Sequence, residues 1–179
     1  MIYRFTLVSE EEEDFSREIK INSDATFFDF HKAIIESVGY SDDQITSFFT
    51  CEHSWEKITE ITIEDMGLSS SDEDVYVMRD TRIEEFVEDE GQRLLYRFDP
   101  MNDRYFFIEL AEITSGSLAK AECTSKQGQA PKQIGDMDFD TTIASTFDSG
   151  EEFFGSEEFN DDDLDLEGLG ISEGDPFEN

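Results

Sequence analysis

Four side chains in this sequence could bind a soft metal through imidazole or thiolate: His31, Cys51, His53 and Cys123. Cys51 and His53 share a face if their segment is a strand, so joint ligation is sterically open. The spacing is not that of a structural zinc site, however, and no C-x-x-C occurs. A packing role for His31 near a helix start fits better. Hard-ligand chemistry is suggested by Asp161, Asp163 and Asp165, which have the D-x-D-x-D spacing of a calcium loop. The sixth position there is Leu166, where the turn needs Gly, and the twelfth is Ser172, where a bidentate Glu is needed. Asp136, Asp138 and Asp140 fail in the same way, at Thr141 and Phe147. Carboxylate pairs carry no signal in a chain with 46 acids. There is no nucleophile elbow, phosphate-cradling glycine loop or H-E-x-x-H. The expectation is a non-enzyme that needs no cofactor.

The strongest chemical pattern lies at the C-terminal end. From Asp136 to Asn179 there are sixteen acids and no Lys, Arg or His, with Phe139, Phe147, Phe153, Phe154, Phe159 and Phe177 among them. Glu151-Glu152-Phe153 recurs as Glu157-Glu158-Phe159, followed by Asp161, Asp162 and Asp163. Acids at this density attract a basic surface and raise the rate of encounter, while phenylalanines fill apolar pockets and slow release. Purely solvating tails have no use for exposed aromatic rings. The partner-binding set is therefore Phe147, Glu151, Glu152, Phe153, Phe154, Glu157, Glu158, Phe159, Asp161, Asp162 and Asp163. Their expected target is a basic protein surface that normally holds nucleic acid, as in an RNA polymerase or another nucleic-acid-binding complex.

The whole chain carries a formal charge of −33. Phosphate contacts need clustered Lys and Arg, so direct binding to nucleic acid or an anionic membrane is not expected. Two cysteines make no disulfide framework and read as reduced thiols. The N-terminus lacks the pattern of a signal peptide, and no apolar run approaches a bilayer span. The expected location is cytoplasmic.

The elements that would position these residues follow from periodicity. Ile2, Tyr3, Phe5, Leu7 and Val8 predict a strand, Ser9–Asp14 an acidic turn, and Phe15, Arg17, Ile19 and Ile21 a second strand, together a hairpin. Ser23 or Asp24 is the expected cap of a helix over Thr26–Val38. That helix buries Phe27, Phe30, Ile34 and Val38 and stops at Gly39. Thr46–Cys51 predicts a third strand, Trp55–Thr62 an edge strand, Ile63–Leu68 a short element closed by Gly67, residues 69–74 a loop, and Val75–Met78 a short strand. Thr81 with Glu84 reads as a capping box for a short helix burying Ile83, Phe86 and Val87. Arg93–Phe98 and Tyr105–Ile113 form a second hairpin, and Ser115–Gly135 reads as a loop.

The fold class is therefore α+β. It has a mixed or antiparallel sheet of two hairpins and a central strand, packed on one main helix and a short second one, with a β-grasp-like arrangement open. Residues 1–135 form the domain. Residues 136–179 are expected to be disordered in isolation, being acidic and poor in branched aliphatics. The bases Arg93, Arg97, Arg104, Lys120, Lys126 and Lys132 cluster in sequence, and the expectation is that they balance local acids. A sharper reading folds the acidic tail back onto them until a partner releases it.

Five motifs, in order, give residues 1–135 a family resemblance. They are Asp24–His31 at the helix start, Ser37–Tyr40 at its end, Gln44–Phe48, Leu95–Asp99 with Ile108–Leu110, and Cys123–Gln127 with Gly128 and Pro131. The chain resembles the plasmid ORF-3-like proteins, also labelled insertion-element passenger (TnpR-like) proteins. The resemblance implies an α+β domain without established enzymatic activity. Of the family's polar cluster, His31, Asp99 and Cys123 remain. Gln44 stands where the family has His, and Pro100–Arg104 replaces its Gly-Asp-Asp-Trp run. The alternative function, a mobile-element-associated enzyme or small-ligand binder, would use that cluster. The resolvase-like label finds no support, because recombination needs a basic DNA-binding surface.

Overall fold

The computed structural model describes residues 1–65, 67 and 75–135. All of them belong to the first of the chain's two units, residues 1–136. The acidic, Phe-bearing set from Phe147 to Asp163, the two D-x-D-x-D runs and the 69–74 loop lie outside the described residues.

Both hairpins form where alternation and turn residues place them. β1 (Ile2–Ser9) pairs antiparallel with β2 (Ser16–Asn22), with Phe5 opposite Ile19 and Leu7 opposite Arg17. Asn22 is followed by α1 (Phe27–Val38). Its cap is Thr26, not Ser23 or Asp24. The Thr26 hydroxyl accepts from the Asp29 N–H, and the Asp29 carboxylate accepts from the Thr26 N–H, closing a capping box. The Ser23 hydroxyl is committed elsewhere, donating to Glu84. Gly39 ends the helix in the left-handed region at φ 74°, where a side chain would be strained.

β3 (Ser47–Cys51) and β4 (Lys57–Thr62) follow, and β4 pairs in parallel with the two-residue β5 (Tyr76–Val77). The described residues of 63–68 form neither helix nor strand; the Gly67 N–H donates to Asp65. The expected second helix is a single 3-10 turn, Ile83–Glu85. Its expected capping box does not form: Thr81 donates its hydroxyl to the Val77 carbonyl, and Glu84 accepts from Ser23. Ile83 and Val87 are buried as expected, while Phe86 is half-buried.

β6 (Arg93–Asp99) and β7 (Arg104–Thr114) make the second hairpin. The 115–135 segment is not all loop. It contains β8 (Glu122–Gln127), which pairs antiparallel with β2. The result is one eight-stranded sheet in the order β5-β4-β3-β6-β7-β1-β2-β8, rather than two hairpins around a central strand. The two hairpins touch directly, β1 against β7, and β3 flanks them.

Alternation gives the sheet two unlike faces. One presents Tyr3, Phe5, Leu7, Ile19, Ile21, Phe48, Ile61, Leu94, Tyr96, Phe98, Phe106, Ile108 and Leu110, all buried. α1 lays Phe27, Phe30, His31 and Ile34 on it. Phe30 stacks on Phe5 at 4.6 Å and on Phe48 at 5.3 Å between ring centroids. Each such ring removed from water contributes about 2–3 kcal/mol, and each aromatic pair adds roughly 1 kcal/mol.

The other face aligns Phe49, Leu95, Phe107 and Val8 across β3, β6, β7 and β1. Phe49 and Leu95 are nearly as buried as the core because long side chains lie over them. Lys57 and Arg97 sit on the Phe49 ring, and Trp55 packs edge-on against Phe107. Trp55 holds a left-handed φ of 68°, an uncommon conformation for an aromatic residue.

Candidate functional site

The residues with chemical capacity fall into three separate places. The first is inside the sheet–helix core. The capping box at Thr26 sets the phase of α1, and that phase turns His31 inward, where it is 1% exposed. Its Nε2 lies 3.0 Å from Asp42 Oδ1 and its Nδ1 2.8 Å from the Tyr96 hydroxyl, with the Thr46 hydroxyl at 3.4 Å. A carboxylate only accepts, so Nε2–H donates to Asp42 and Nδ1 accepts from Tyr96. Asp42 also pairs with Lys32.

A carboxylate, an imidazole and a hydroxyl in line resemble a proton relay. Catalysis needs a reacting atom within reach, and Tyr96 is fully buried in the core. Burial pushes its phenol far above the ordinary range. The network is a satisfied polar seam that ties the 40–46 turn to α1 and β6.

Burial, then the positive charges of Lys32 and Arg79, lowers the His31 pKa from 6.5 to about 4. A histidine with a lowered folded value binds its proton more readily when unfolded. Its contribution is complete above about pH 6.5 and is lost as the pH falls towards 4. The depression corresponds to roughly 3 kcal/mol. In denaturant titrations between pH 7 and 4, the wild type should therefore lose more stability than His31→Gln. Parallel curves would show that His31 takes up its proton at the same pH in the folded and unfolded chains.

The second place is the end of β6. Asp99 is the only acid buried among the described residues. Its Oδ1 accepts from the Met101 and Asn102 N–H groups, and its Oδ2 from Asn102 Nδ2 (2.8 Å), Gly135 N (3.1 Å) and Arg104 Nη1 (3.2 Å). Burial raises the Asp99 pKa, but these hydrogen bonds outweigh it and hold the carboxyl below its usual value. Arg104 also forms a fork with Glu11 at 2.7 and 2.8 Å and donates to the Gln133 carbonyl.

The same stretch is tied down elsewhere. Gln133 exchanges two hydrogen bonds with the Ser41 backbone, and the Tyr40 hydroxyl donates to the Pro131 carbonyl. Arg17, 5% exposed, donates to the carbonyls of Ser16, Ser37, Gln127 and Gly128, and its guanidinium lies over the Phe15 ring. Gly128, at φ +62°, passes so close to the Asp14 carbonyl that a Cβ would sit 2.5 Å from its oxygen. Residues 127–135 therefore form a strap bolted to the turns around it.

The third place is β8. Cys123 is half-buried, opposite Ile19, with its thiol donating to the Ser125 carbonyl. It lines a cavity of about 200 Å³ with Ala33, Glu36, Ser37, Lys120 and Lys126. A larger cavity of about 440 Å³ lies beside it between α1 and the approach to β8, lined by Asp24, Asp29, Lys32, Glu36 and Lys120. Neither cavity reaches His31 or Asp99.

No hydrogen bond, ion pair or ring contact joins any two of His31, Asp99 and Cys123. The polar cluster is thus three unrelated positions. Cys51 donates back to the Phe49 carbonyl on its own strand, and no group of metal-binding side chains forms among the described residues. Of the three arginines, Arg93 and Arg97 share the outer face of β6 with Lys57, and Arg104 stands apart from them. Arg93 pairs with Glu109 and lies over Trp55, Arg97 pairs with Glu60, and Arg104 pairs with Glu11 and Asp99.

Sequence reasoning placed Arg17 in the inward row of β2 but missed what it holds. Tyr96, Asp42 and Gln133 were missed altogether. Arg17 alone carried a signal, as a cation in an otherwise apolar alternation.

No described helix is long and apolar enough to cross a membrane. The family model for plasmid pRiA4b ORF-3-like proteins matches residues 2–160, beyond the 135 residues over which the motifs were traced. No curated protein matches. The fold is similar to that of a protein of unknown function from Methanosarcina mazei Go1, known from its crystal structure. The two share 18% identity and a TM-score of 0.56, over 70% of this chain and 68% of the other.

Proposed function

The chain belongs to the plasmid pRiA4b ORF-3-like family, and from that premise we propose that it is a non-enzymatic protein-interaction module of the cytoplasm. Its acidic segment engages a basic protein surface and competes there with nucleic acid, on a transcription complex or another nucleic-acid-handling machine. One observation carries this reading: residues 136–179 hold sixteen acids and six phenylalanines without a single Lys, Arg or His.

The polar side chains of the domain support it indirectly. His31 and Asp99 are spent on internal hydrogen bonds, and neither shares a cavity with Cys123. An enzyme or small-ligand binder built on those three residues needs them in one place. The test is capture from a lysate of the source cells. The full chain is compared with one whose sixteen acids in 136–179 are replaced by their amides. A nucleic-acid-handling complex held by the first and lost by the second supports the reading. Identical recovery from both leaves the segment with no binding role.

A further inference from the structure

The outer face of the sheet complements its own reflection across the line between β6 and β7. Arg93 stands opposite Glu109, Leu95 opposite Phe107 and Arg97 opposite Tyr105. One strand further out, Phe49 lies beside Leu95 and Val8 beside Phe107. A half-turn of a second copy about that line keeps each residue at its level along the strands, to within the roughly 30° between aligned packed sheets. It lays Arg93 of one copy over Glu109 of the other, Arg97 over the Tyr105 ring, Leu95 over Phe107 and Phe49 over Val8. Opposite charges meet, a cation meets a ring, and larger apolar side chains meet smaller ones.

The single chain closes this face incompletely. Lys57 and Arg97 lie down over Phe49, but Val8 stays 43% exposed, and Phe107, Tyr105 and Trp55 are half-buried. The Nε atoms of Arg93 and Arg97 are buried without a hydrogen-bond partner, so the pairings inside the chain leave donors unsatisfied. Trp55 holds its left-handed backbone to stand edge-on against Phe107, a conformation that persists only where the surroundings enforce it.

Charge selects the occupant. All 13 Lys and Arg of the chain, and all but sixteen of its 46 acids, lie in residues 1–135. The centre of this face nevertheless sets Lys57, Arg93 and Arg97 against Glu60 and Glu109 alone. A basic partner is drawn to the acid-rich surface elsewhere, and nucleic acid meets cations already matched by acids. A second copy brings an apolar row of the same length and the same near-balanced charge. We propose that this face is the interface of an isologous homodimer. The inference is independent of any role for residues 136–179. Two chains of −33 repel at a distance, so the dimer strengthens as salt rises, while its buried pairs are screened much less.

The test is sedimentation velocity of the full chain at about 0.1 M and about 1 M salt, where the screening length falls from about 10 Å to about 3 Å. The expected result is a monomer–dimer equilibrium that shifts towards dimer at the higher salt. There, Arg93→Glu and Glu109→Arg should each associate roughly tenfold more weakly alone. An equimolar mixture of the two should regain the dimer, because the acid placed at position 93 of one chain meets the arginine placed at position 109 of the other. No effect within one chain produces that rescue. Val8→Glu, at an exposed position that folding tolerates, should also weaken association roughly tenfold. A chain monomeric at both salts overturns the proposal, as does a dimer that weakens with salt. Wild-type association by each variant alone, or a mixture that shows no rescue, overturns it equally.

Discussion

Phe48→Ala should lower the free energy of unfolding by about 3–5 kcal/mol, the range for a fully buried aromatic truncated without collapse. Phe48 is fully buried at the centre of the aromatic core, 5.2 Å from Phe27, 5.3 Å from Phe30 and 4.9 Å from Tyr96 between ring centroids. Phe27 and Phe30 come from α1 and Tyr96 from β6, so the cavity would open where helix and sheet meet. β3 cannot move in without breaking its pairing at Ile61 and Tyr96, and the start of α1 is held by the Phe27 and Phe28 N–H groups, which donate to the Thr81 and Met78 carbonyls. The neighbouring Phe49 is the control. It faces the other side of the sheet, where the flexible side chains of Lys57 and Arg97 cover it and can close over a smaller residue. Phe49→Ala should cost about 1–2 kcal/mol. Urea midpoints decide the matter, and equal losses for the two variants would refute the assignment of the core to the α1 face. The larger loss is a substantial part of the roughly 5–15 kcal/mol available to a domain.

Replacing Glu151, Glu152, Glu157 and Glu158 with Gln should weaken binding to a basic partner by about a hundredfold. Exposed ion pairs are each worth a few tenths to about 1 kcal/mol, and four together reach roughly 2–3 kcal/mol. The loss should appear mainly in the association rate and shrink at high salt, because the attraction acts over about 8–10 Å before screening. Phe153, Phe154 and Phe159 changed to Ser should behave differently. Dissociation should speed up while the salt dependence stays as it was, since apolar anchors act after encounter. Titration of both variants against the captured partner at several salt concentrations separates the two effects. A glutamine variant with an unaltered salt dependence would place the attraction elsewhere in the chain.

Much of the fold was legible because its elements carry strong local signals. The β1–β2 and β6–β7 hairpins combine alternation with acidic or Pro-Asn turns, and α1 combines an apolar stripe with Gly39. What escaped had weak or ambiguous signals. β8 reads Glu-Cys-Thr-Ser-Lys-Gln, with no apolar row, because an edge strand can leave most of its side chains in water. Its pairing to β2 comes from the sheet rather than from its own composition. The α1 cap was placed too early because Ser23, Asp24 and Thr26 are all competent caps. Asp29, three residues after Thr26, was the discriminating residue. The Thr81–Glu84 pattern was a false signal, since Ser23 reaches Glu84 from a distant part of the chain.

The functional site was less legible for the same reason. Motif order grouped His31, Asp99 and Cys123 as one cluster, but sequence order carries no distance. His31 belongs to a core seam, Asp99 to the strap and Cys123 to an edge strand. The strap itself is invisible in sequence. Its bolts, Arg17 on β2, Tyr40 and Ser41 just after α1, and Arg104 on β7, are far apart in sequence and meet only in three dimensions.

The proposed competition is for a surface otherwise held by nucleic acid. The most direct measurement is competition on the captured complex, with labelled nucleic acid bound first and the chain added at increasing concentration. The full chain should displace the nucleic acid, raising the salt should weaken this displacement, and the chain with its sixteen acids amidated should displace none. Simultaneous binding of chain and nucleic acid, with neither lowering the affinity of the other, contradicts it.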